Sequence, residues 1–267
     1  MGGKEAVFIN DLDDTLVHTT WRYELTHFLA CAYVLEFVGA NAHQVTQLLE
    51  LRLKIDNLIL EECGFSEGYY EKSLQKFLDE VCAFANVTPN AQIRKKLSNL
   101  AKYPFDSNNY TNADLIDGAK EALKFQSQEK FSSYIVTRGI ESVQKAKIAN
   151  LGFYEFVAPK NVFVVNKNSK ISVLEKIAAK ETCKQTYVVE DSLALVNAAT
   201  DAGFNAIFIP EKRGSQVREK GNGKIKNLNL TIPLEGIIEV KTQYGKYRTA
   251  QERKIANDLP DYIKQYL

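Results

Sequence analysis

The sequence predicts an α/β protein in which a doubly wound parallel sheet carries an inserted block of α-helices. Three observations lead to this fold class. An apolar run at residues 5–10 indicates a short buried strand that leads directly into an acidic cluster. Over residues 19–104, apolar residues recur at spacings of three and four, which is typical of helices. After Asn112 helical and strand patterns alternate, as they do in a parallel sheet covered by helices.

The composition is that of an ordinary globular protein. Of the 267 residues, 45% are hydrophobic and 25% are charged, which excludes a disordered, collagen-like or low-complexity chain. The 34 basic and 33 acidic residues nearly cancel, so no overall charge favours nucleic acid or an acidic membrane as a partner. At about 150 residues per domain, the length indicates one large or two modest domains.

The cysteines and the apolar segments indicate the compartment. The four cysteines, at positions 31, 63, 82 and 183, form no C-x-x-C pair and are expected to be free thiols in a reducing environment. The longest apolar stretch, residues 28–40, is interrupted by Glu36 and is too short to span a bilayer. The first residues do not follow the order of a signal peptide. We therefore expect a cytoplasmic protein without a membrane partner, and the sequence does not indicate its oligomeric state.

Four helices are predicted within the inserted block. They cover residues 21–37, 45–60, 69–84 and 93–100, with breaks at 39–41, 64–68 and 88–90. The last break is expected to cap the fourth helix, with Pro89 at the first helical position. A block of this size resembles a four-helix bundle. Residues 19–107 are therefore assigned to a helical domain, and residues 1–18 and 108–267 together to the Rossmann-like α/β core.

The rest of the core is predicted to alternate between the two kinds of element. Helices are expected at 115–125, 141–151, 171–179 and 193–202, and strands at 131–137, 162–165, 186–190 and 206–209. Because the strand at 5–10 would join the same sheet, the helical block is an insertion and not a separate domain before it. The basic residues 212–226 are interpreted as a solvated loop or, alternatively, an anion-binding loop, and residues 249–267 as a final helix.

Polar residues follow three of the predicted strands, at the points where those strands end. In an open parallel sheet, ligands bind beyond the carboxyl ends of the strands. The residues at these ends are Asp11, Asp13 and Asp14; Thr137, Arg138 and Gly139; and Glu190, Asp191 and Ser192. Each group alone could be a helix cap, but together they place five carboxylates on one edge, which is costly unless a cation neutralises them. Carboxylate oxygens favour a hard ion such as Mg²⁺.

The order of these groups resembles the motifs of the haloacid dehalogenase-like hydrolase superfamily. Residues 11–15 follow an apolar strand and match its first motif, D-x-D-x-T. Residues 134–137 match the second motif, which ends in Ser or Thr, and residues 188–192 match the fourth. The resemblance covers residues 5–209 in order, and the helical insertion between the first two motifs resembles the helical cap of that family.

The resemblance implies a role for each matching residue. Asp11 would be the nucleophile that forms an aspartyl-phosphate, and Asp13 would protonate the leaving oxygen and later deprotonate the attacking water. Thr137 would hydrogen-bond the transferring phosphoryl group, in a substrate-binding segment that includes Arg138 and Gly139. The Mg²⁺ ligands would be Asp11, Asp191 and the backbone carbonyl of Asp13, with Glu190 supporting the metal or the lysine. These residues supply the positioning and charge compensation that phosphoryl transfer requires.

Two lysines are candidates for the residue that neutralises the nucleophile and the phosphate. One version of the family's lysine motif often reads Lys-Pro, and Lys167 matches that version by its distance along the sequence to Ile177. Lys170 matches the version in which the lysine starts a helix, and we prefer it. The prolines that often accompany this motif are missing from the segment. Arg138 is expected either to contact a substrate anion or to lie on the surface.

These inferences predict a Mg²⁺-dependent phosphatase that hydrolyses a small phosphorylated metabolite. A phosphomutase or another phosphotransferase is the main alternative, because it would keep Asp13. A hydrolytic dehalogenase is less favoured since that chemistry dispenses with the second aspartate, and a non-catalytic binding protein is less favoured since every acidic position is intact. Nucleotide and sugar phosphates both remain open as substrates. Further candidates for the mouth of the site are His18, Trp21, Arg22, Tyr23, Arg52 and Lys54.

Overall fold

A computed structural model describes residues 4–39, 45–166, 170–181 and 183–209. Lys167, the basic segment 212–226 and the expected helix at 249–267 lie outside the described residues. Secondary structure, burial and contacts below refer to the described part of the chain.

The core is a five-stranded parallel sheet, as predicted. Its strands are β1 (Lys4–Asn10), β2 (Phe131–Arg138), β3 (Val162–Val165), β4 (Cys183–Glu190) and β5 (Asn205–Phe208), in the spatial order β3-β2-β1-β4-β5. The chain runs outward from β1 through β2 to β3 and then returns to the other side of β1 with β4. This reversal puts the topological switch point between β1 and β4, where open α/β sheets bind ligands.

Four helices lie between β1 and β2 and have a hydrophobic core of their own. They are α1 (Thr20–Val38), α2 (Val45–Cys63), α3 (Tyr69–Ala85) and α4 (Ala91–Lys102), which confirms the predicted helices. Side chains from all four pack together in this core, among them Val34, Ile59, Phe77 and Leu97. We call residues 20–102 the helical block. Most of the stability of such amphipathic helices comes from this shared burial.

Four further helices cover the two faces of the sheet. They are α5 (Ala119–Gln126), α6 (Glu141–Asn150), α7 (Lys170–Lys180) and α8 (Leu193–Asp201). On β1, Ala6 and Phe8 pack on the same side as α5, whereas Val7 and Ile9 pack on the side of α7 and α8. Both faces of β1 are therefore buried, which explains why this strand is a continuous apolar run and does not alternate.

Two predicted helix starts are wrong, each for a local reason. The fourth helix is capped by Asn90, whose side chain accepts hydrogen bonds from the backbone N–H groups of Gln92 and Ile93, so Pro89 precedes the cap and is not the first helical residue. The helix expected from Leu115 begins only at Ala119, because Gly118 adopts a left-handed conformation with φ of 81°.

Two expectations about the chain as a whole can be compared with the described residues. Cys31, Cys63 and Cys82 are free thiols, as predicted. Within the ranges that the structure describes, every helix lacks either the length or the apolarity that crossing a membrane requires.

Candidate active site

The carboxyl ends of β1 and β4 bring Asp11 next to Glu190 and Asp191. The backbone N–H of Asp11 donates to the carbonyl of Val189 at 2.9 Å, which continues the pairing of the two strands by one residue. Oxygen atoms of the three carboxylates lie within 4.8 Å of one another. The sequence expectation that these strand ends meet is therefore correct in geometry, at the switch point of the sheet.

Lys170 is the cation that faces these carboxylates in the described part of the site. It is the first described residue of α7, and its Nζ lies 2.7 Å from Asp11 Oδ1 and 3.1 Å from Glu190 Oε2. The lysine is 4% exposed. Burial alone would lower its pKa, but the charges of Asp11 and Glu190 outweigh burial and raise it. Lys170 is therefore charged at neutral pH.

The three carboxylates share one facing lysine and are largely buried, and both conditions raise their pKa values. Burial, together with the charges of Asp11 and Asp14, raises the pKa of Asp191 to about 7, although Thr15 donates a hydrogen bond to it at 3.0 Å. Burial and the Glu190 charge raise the pKa of Asp11 well above its usual range, against the opposing effect of Lys170. Burial likewise raises the pKa of Glu190. A cluster of oxygen donors with uncompensated negative charge fits a hard divalent cation.

The carboxylate of Asp13 has different partners from that of Asp11. Its Oδ1 accepts from Lys147 Nζ at 2.7 Å and from the Thr19 hydroxyl at 2.8 Å, and its Oδ2 accepts from Gln144 Nε2 at 2.6 Å. Burial by itself would raise the pKa of Asp13, but the Lys147 charge and these hydrogen bonds outweigh burial and lower it. Asp13 is therefore ionised in this structure. Lys147 and Gln144 both come from α6.

The end of β2 brings Thr137, Arg138 and Gly139 to the same edge. Thr137 is fully buried and its hydroxyl accepts from Gln144 Nε2 at 3.0 Å, whereas Arg138 is exposed. Gly139 has φ of 147°, and a Cβ at this position would lie 2.8 Å from Gln144 Nε2. Glycine is required here for its backbone conformation and for the close approach of the glutamine side chain.

Asp14 fastens the helical block to the loop that carries Asp11 and Asp13. Its carboxylate accepts from the backbone N–H groups of Thr19 and Thr20, at 2.9 and 3.1 Å, and from the Thr20 hydroxyl. These contacts satisfy donors at the start of α1, whose first residues lack partners inside the helix. Asp14 thus anchors the start of α1 to this loop.

A buried ion pair joins the two connections between the helical block and the sheet. Arg22, on α1, lies 2.8 Å from Asp114 and donates to the backbone carbonyl of Asn109 at 2.7 Å. The guanidinium also lies 4.5 Å from the ring centre of Tyr110. Both charged side chains are nearly inaccessible to water, with 5% and 10% exposure. This Arg22–Asp114 pair holds the outgoing and returning segments of chain side by side.

A cavity of about 630 Å³ lies between the sheet edge and the helical block. On the sheet side it is lined by Asp11, Asp13, Thr137, Arg138, Gly139, Lys170, Glu190 and Asp191. On the side of the helical block it is lined by Tyr23, His27, Asp56, Phe65, Tyr69 and Phe105. Its volume falls within the range of about 300–1,000 Å³ that is typical of small-molecule sites. The sheet side carries carboxylates and lysines, whereas most of these residues on the side of the helical block are aromatic.

The structure brings together all the predicted site residues that it describes, and it separates some of the weaker candidates from the cavity. Tyr23 lines the cavity, but Arg22 is committed to Asp114. Arg52 is fully buried inside the helical block, where it pairs with Asp56 at 3.2 Å. His18, Trp21 and Lys54 are not among the lining residues. Lys167 lies outside the described residues.

Sequence reasoning missed Gln144 and Lys147, although one signal pointed to them. Positions 144, 147, 148 and 151 share one face of the predicted helix, and Ile148 and Leu151 mark that face as buried. A glutamine and a lysine on a buried face need polar partners, since unpaired buried polar groups are costly. Here the partner of both is Asp13.

No family model and no curated protein matches the sequence significantly. Solved structures do match the fold. A haloacid dehalogenase-like family hydrolase from Xanthomonas campestris is similar with a TM-score of 0.63 and 14% identity, over 92% of this chain and 96% of that one. A protein described as a haloacid dehalogenase-like hydrolase from Burkholderia xenovorans has a TM-score of 0.53 and 18% identity, over 81% of this chain and 86% of that one. The chain therefore has the fold of these haloacid dehalogenase-like hydrolases.

Proposed function

We propose that this chain is a Mg²⁺-dependent phosphatase that hydrolyses a small phosphomonoester through an aspartyl-phosphate on Asp11. The observation that carries this proposal is the pairing of Asp11 with a buried lysine beside two further carboxylates, with a second aspartate, Asp13, lining the same cavity. A nucleophilic carboxylate, a lysine, an acid–base group and a candidate metal site are the parts that phosphoryl transfer through a covalent intermediate needs. The presence of Asp13 favours this reaction over hydrolytic dehalogenation.

The reaction would proceed in two steps. In the first, an Asp11 carboxylate oxygen bonds to phosphorus while the bond from phosphorus to the ester oxygen breaks, and Asp13 gives a proton to that oxygen. The negative charge of the bound phosphate would favour this protonated form of Asp13, against the opposing Lys147 charge of the substrate-free site. In the second, water attacks phosphorus while Asp13 takes a proton from it. The bond from phosphorus to the Asp11 oxygen breaks, which releases phosphate and restores the Asp11 carboxylate. Asp13 returns to its protonated form, so the cycle is closed. The lysine at position 170 would offset the phosphate charge, and the Thr137 hydroxyl would hydrogen-bond the phosphoryl oxygens.

Asp11 and Asp191, with the backbone carbonyl of Asp13, would hold Mg²⁺, and Glu190 would support Lys170 or the metal. When bound, the ion would supply positive charge against the negative charge that develops on the phosphoryl oxygens. The carboxylate cluster supports this assignment because its three residues offer oxygen donors within 4.8 Å of one another. The raised pKa values of Asp11 and Asp191 support it as well, because burial and neighbouring carboxylates both disfavour the ionised forms, and a bound cation would offset that cost.

We further propose that the helical block, within residues 19–107, acts as a cap that selects the substrate. The block supplies the aromatic wall of the cavity, including Tyr23, Phe65 and Tyr69, opposite the carboxylates. A wall of this kind favours a small metabolite over a macromolecular substrate, because a covered site excludes large molecules and water. In this proposal neither nucleic acid nor a membrane is a partner.

Hydrolysis of p-nitrophenyl phosphate tests the proposed function. We expect turnover in the presence of Mg²⁺ and none after the metal is removed with EDTA, with recovery when Mg²⁺ is restored. A panel of nucleoside monophosphates and sugar phosphates then identifies the metabolite. A protein that turns over neither p-nitrophenyl phosphate nor acetyl phosphate nor any member of the panel would not be a phosphatase, and the binding-protein alternative would replace this proposal.

Mg²⁺ binding is expected to weaken as the pH falls. With a pKa of about 7, Asp191 is mostly ionised at pH 8 and mostly protonated at pH 6 in the metal-free protein, and only the ionised form binds the metal. Between pH 8 and pH 6 the ionised fraction of Asp191 falls about tenfold, so the affinity for Mg²⁺ falls by a similar factor. Thermal unfolding with and without Mg²⁺ measures this without any substrate.

The increase in Tm that Mg²⁺ produces should therefore be larger at pH 8 than at pH 6, and Asp191→Asn should remove most of it at both. Asp201→Asn is a matched control, since Asp201 is exposed at the end of α8 and does not line the cavity. An equal Tm increase in wild type and Asp191→Asn would place the metal elsewhere.

A further inference from the structure

Two side chains of α6 contact both oxygens of the Asp13 carboxylate. Lys147 Nζ lies 2.7 Å from Oδ1, and Gln144 Nε2 lies 2.6 Å from Oδ2. The two residues are three positions apart, so they occupy adjacent turns on the same face of the helix. Thr19 completes the set with a hydrogen bond of 2.8 Å to Oδ1.

Lys147 is itself held in place and almost fully buried, at the wall of the cavity. It is 2% exposed, and its ammonium group lies 4.7 Å from the ring centre of Tyr110, whose other cationic neighbour is Arg22. A buried lysine is costly unless it is paired, and among the described residues its ion-pair partner is Asp13. The position of this lysine is therefore tied to a single carboxylate.

Gln144 links Asp13 to the end of β2. Its Nε2 group also lies 3.0 Å from the Thr137 hydroxyl oxygen and 2.6 Å from the carbonyl oxygen of Arg138. Because all three neighbours of Nε2 accept hydrogen bonds, the amide must point its nitrogen toward them. Gly139 leaves room for this side chain, since a Cβ there would lie 2.8–3.0 Å from its atoms. The glutamine thus keeps Asp13 at a fixed place relative to Thr137.

These contacts use most, but not all, of the hydrogen-bond acceptor positions of the Asp13 carboxylate. An ionised carboxylate has about four lone-pair positions, two on each oxygen. Within the described part of the chain, Oδ1 accepts two hydrogen bonds and Oδ2 accepts one. One lone-pair position on Oδ2 is left without a partner among the described residues, and Asp13 lines the cavity.

We propose that Lys147 and Gln144 are positioning residues that hold the Asp13 carboxylate in one orientation at the cavity, fixed relative to Thr137. This inference rests on the proposed phosphatase function, in which Asp13 is the general acid. A misplaced general acid slows the reaction only for substrates whose leaving oxygen must be protonated as it departs. An activated leaving group such as p-nitrophenolate departs without one, whereas an alkoxide does not.

The test compares p-nitrophenyl phosphate with benzyl phosphate, two substrates of similar size, in the presence of Mg²⁺. The quantity to compare is kcat/KM, which covers the steps up to departure of the leaving group. We expect Lys147→Met to lower kcat/KM for benzyl phosphate by on the order of 10²-fold and for p-nitrophenyl phosphate by less than about threefold. Lys147→Arg should restore most of the benzyl phosphate activity, because it returns a charged donor to Oδ1. Lys145→Met is the matched control, since Lys145 is exposed on the same helix.

Gln144→Leu provides a second variant that leaves Lys147 in place, and it should show the same selectivity between the two substrates. Thermal unfolding of every variant identifies a general loss of structure, which would reduce both activities together. Equal losses on both substrates in folded Lys147→Met and Gln144→Leu, or no loss on benzyl phosphate, would overturn the positioning role. A wild-type protein that hydrolyses neither substrate nor any phosphorylated metabolite would instead overturn the proposed function, and this inference with it.

Discussion

Asp11→Asn is expected to lower kcat for p-nitrophenyl phosphate by at least about 10³-fold at saturating Mg²⁺. The amide oxygen is a poor nucleophile, so the aspartyl-phosphate cannot form. The substitution also removes the negative charge that pairs with Lys170 at 2.7 Å. Because asparagine has nearly the shape of aspartate, the fold should be kept, and thermal unfolding should show a cooperative transition.

The measurement is steady-state hydrolysis, supported by trapping of a phosphorylated protein in the wild type with a labelled phosphate donor. Asp201→Asn serves as the control, since the same chemical change at an exposed carboxylate outside the cavity should leave kcat unchanged. Retention of Mg²⁺-dependent activity in Asp11→Asn would show that Asp11 is not the nucleophile, and the covalent mechanism would have to be abandoned.

Arg22→Met is expected to lower the free energy of unfolding by about 3–5 kcal/mol. The substitution leaves Asp114 buried without its ion-pair partner and leaves the carbonyl of Asn109 without its donor. Contacts of the guanidinium with the rings of Trp21 and Tyr110, at 4.4 and 4.5 Å, are also lost. Equilibrium denaturation in urea measures the change, with the slope of the transition reporting whether unfolding stays cooperative.

The chain offers a matched ion pair for comparison. Arg94 and Asp79 lie 2.5 Å apart, but their side chains are 41% and 52% exposed, so Arg94→Met should cost no more than about 1 kcal/mol. The double variant Arg22→Met with Asp114→Asn should be more stable than Arg22→Met alone, because it removes the uncompensated charge. A loss in Arg22→Met no larger than that in Arg94→Met would mean that the buried pair does not stabilise the fold.

The sheet and the meeting of Asp11 with Glu190 and Asp191 could be predicted from the sequence because both follow from short-range patterns. Continuous apolar runs identify buried parallel strands, and the carboxyl ends of such strands lie on one edge whatever the exact packing. Lys170 could be placed near that edge because it starts a helix that follows a strand. None of these inferences requires knowledge of how helices rotate about their axes.

The contacts of Asp13 could not be predicted in the same way. Whether Lys147 reaches Asp13 depends on how α6 is rotated against the sheet, which is decided by the packing of Ile148 and Leu151 and not by a local motif. The start of the fourth helix was mispredicted because Pro89 and Asn90 are both typical of helix starts. The two backbone hydrogen bonds that the Asn90 side chain accepts make Asn90 the N-cap, so the helix begins after it. The periodicity of apolar residues predicts neither tertiary packing nor side-chain capping.

The separate core of the helical block has a consequence for how such a protein can diverge. All the buried members of that core lie between Ala30 and Ala101, whereas the side chains buried around the sheet come from other segments. Inherited changes inside the block can reshape the aromatic wall of the cavity while the aspartates and Lys170 stay where they are. Under the proposed phosphatase function, descendants of this chain can therefore acquire new substrates while the reaction stays the same, provided that Asp14 and Arg22 continue to anchor the block at its base.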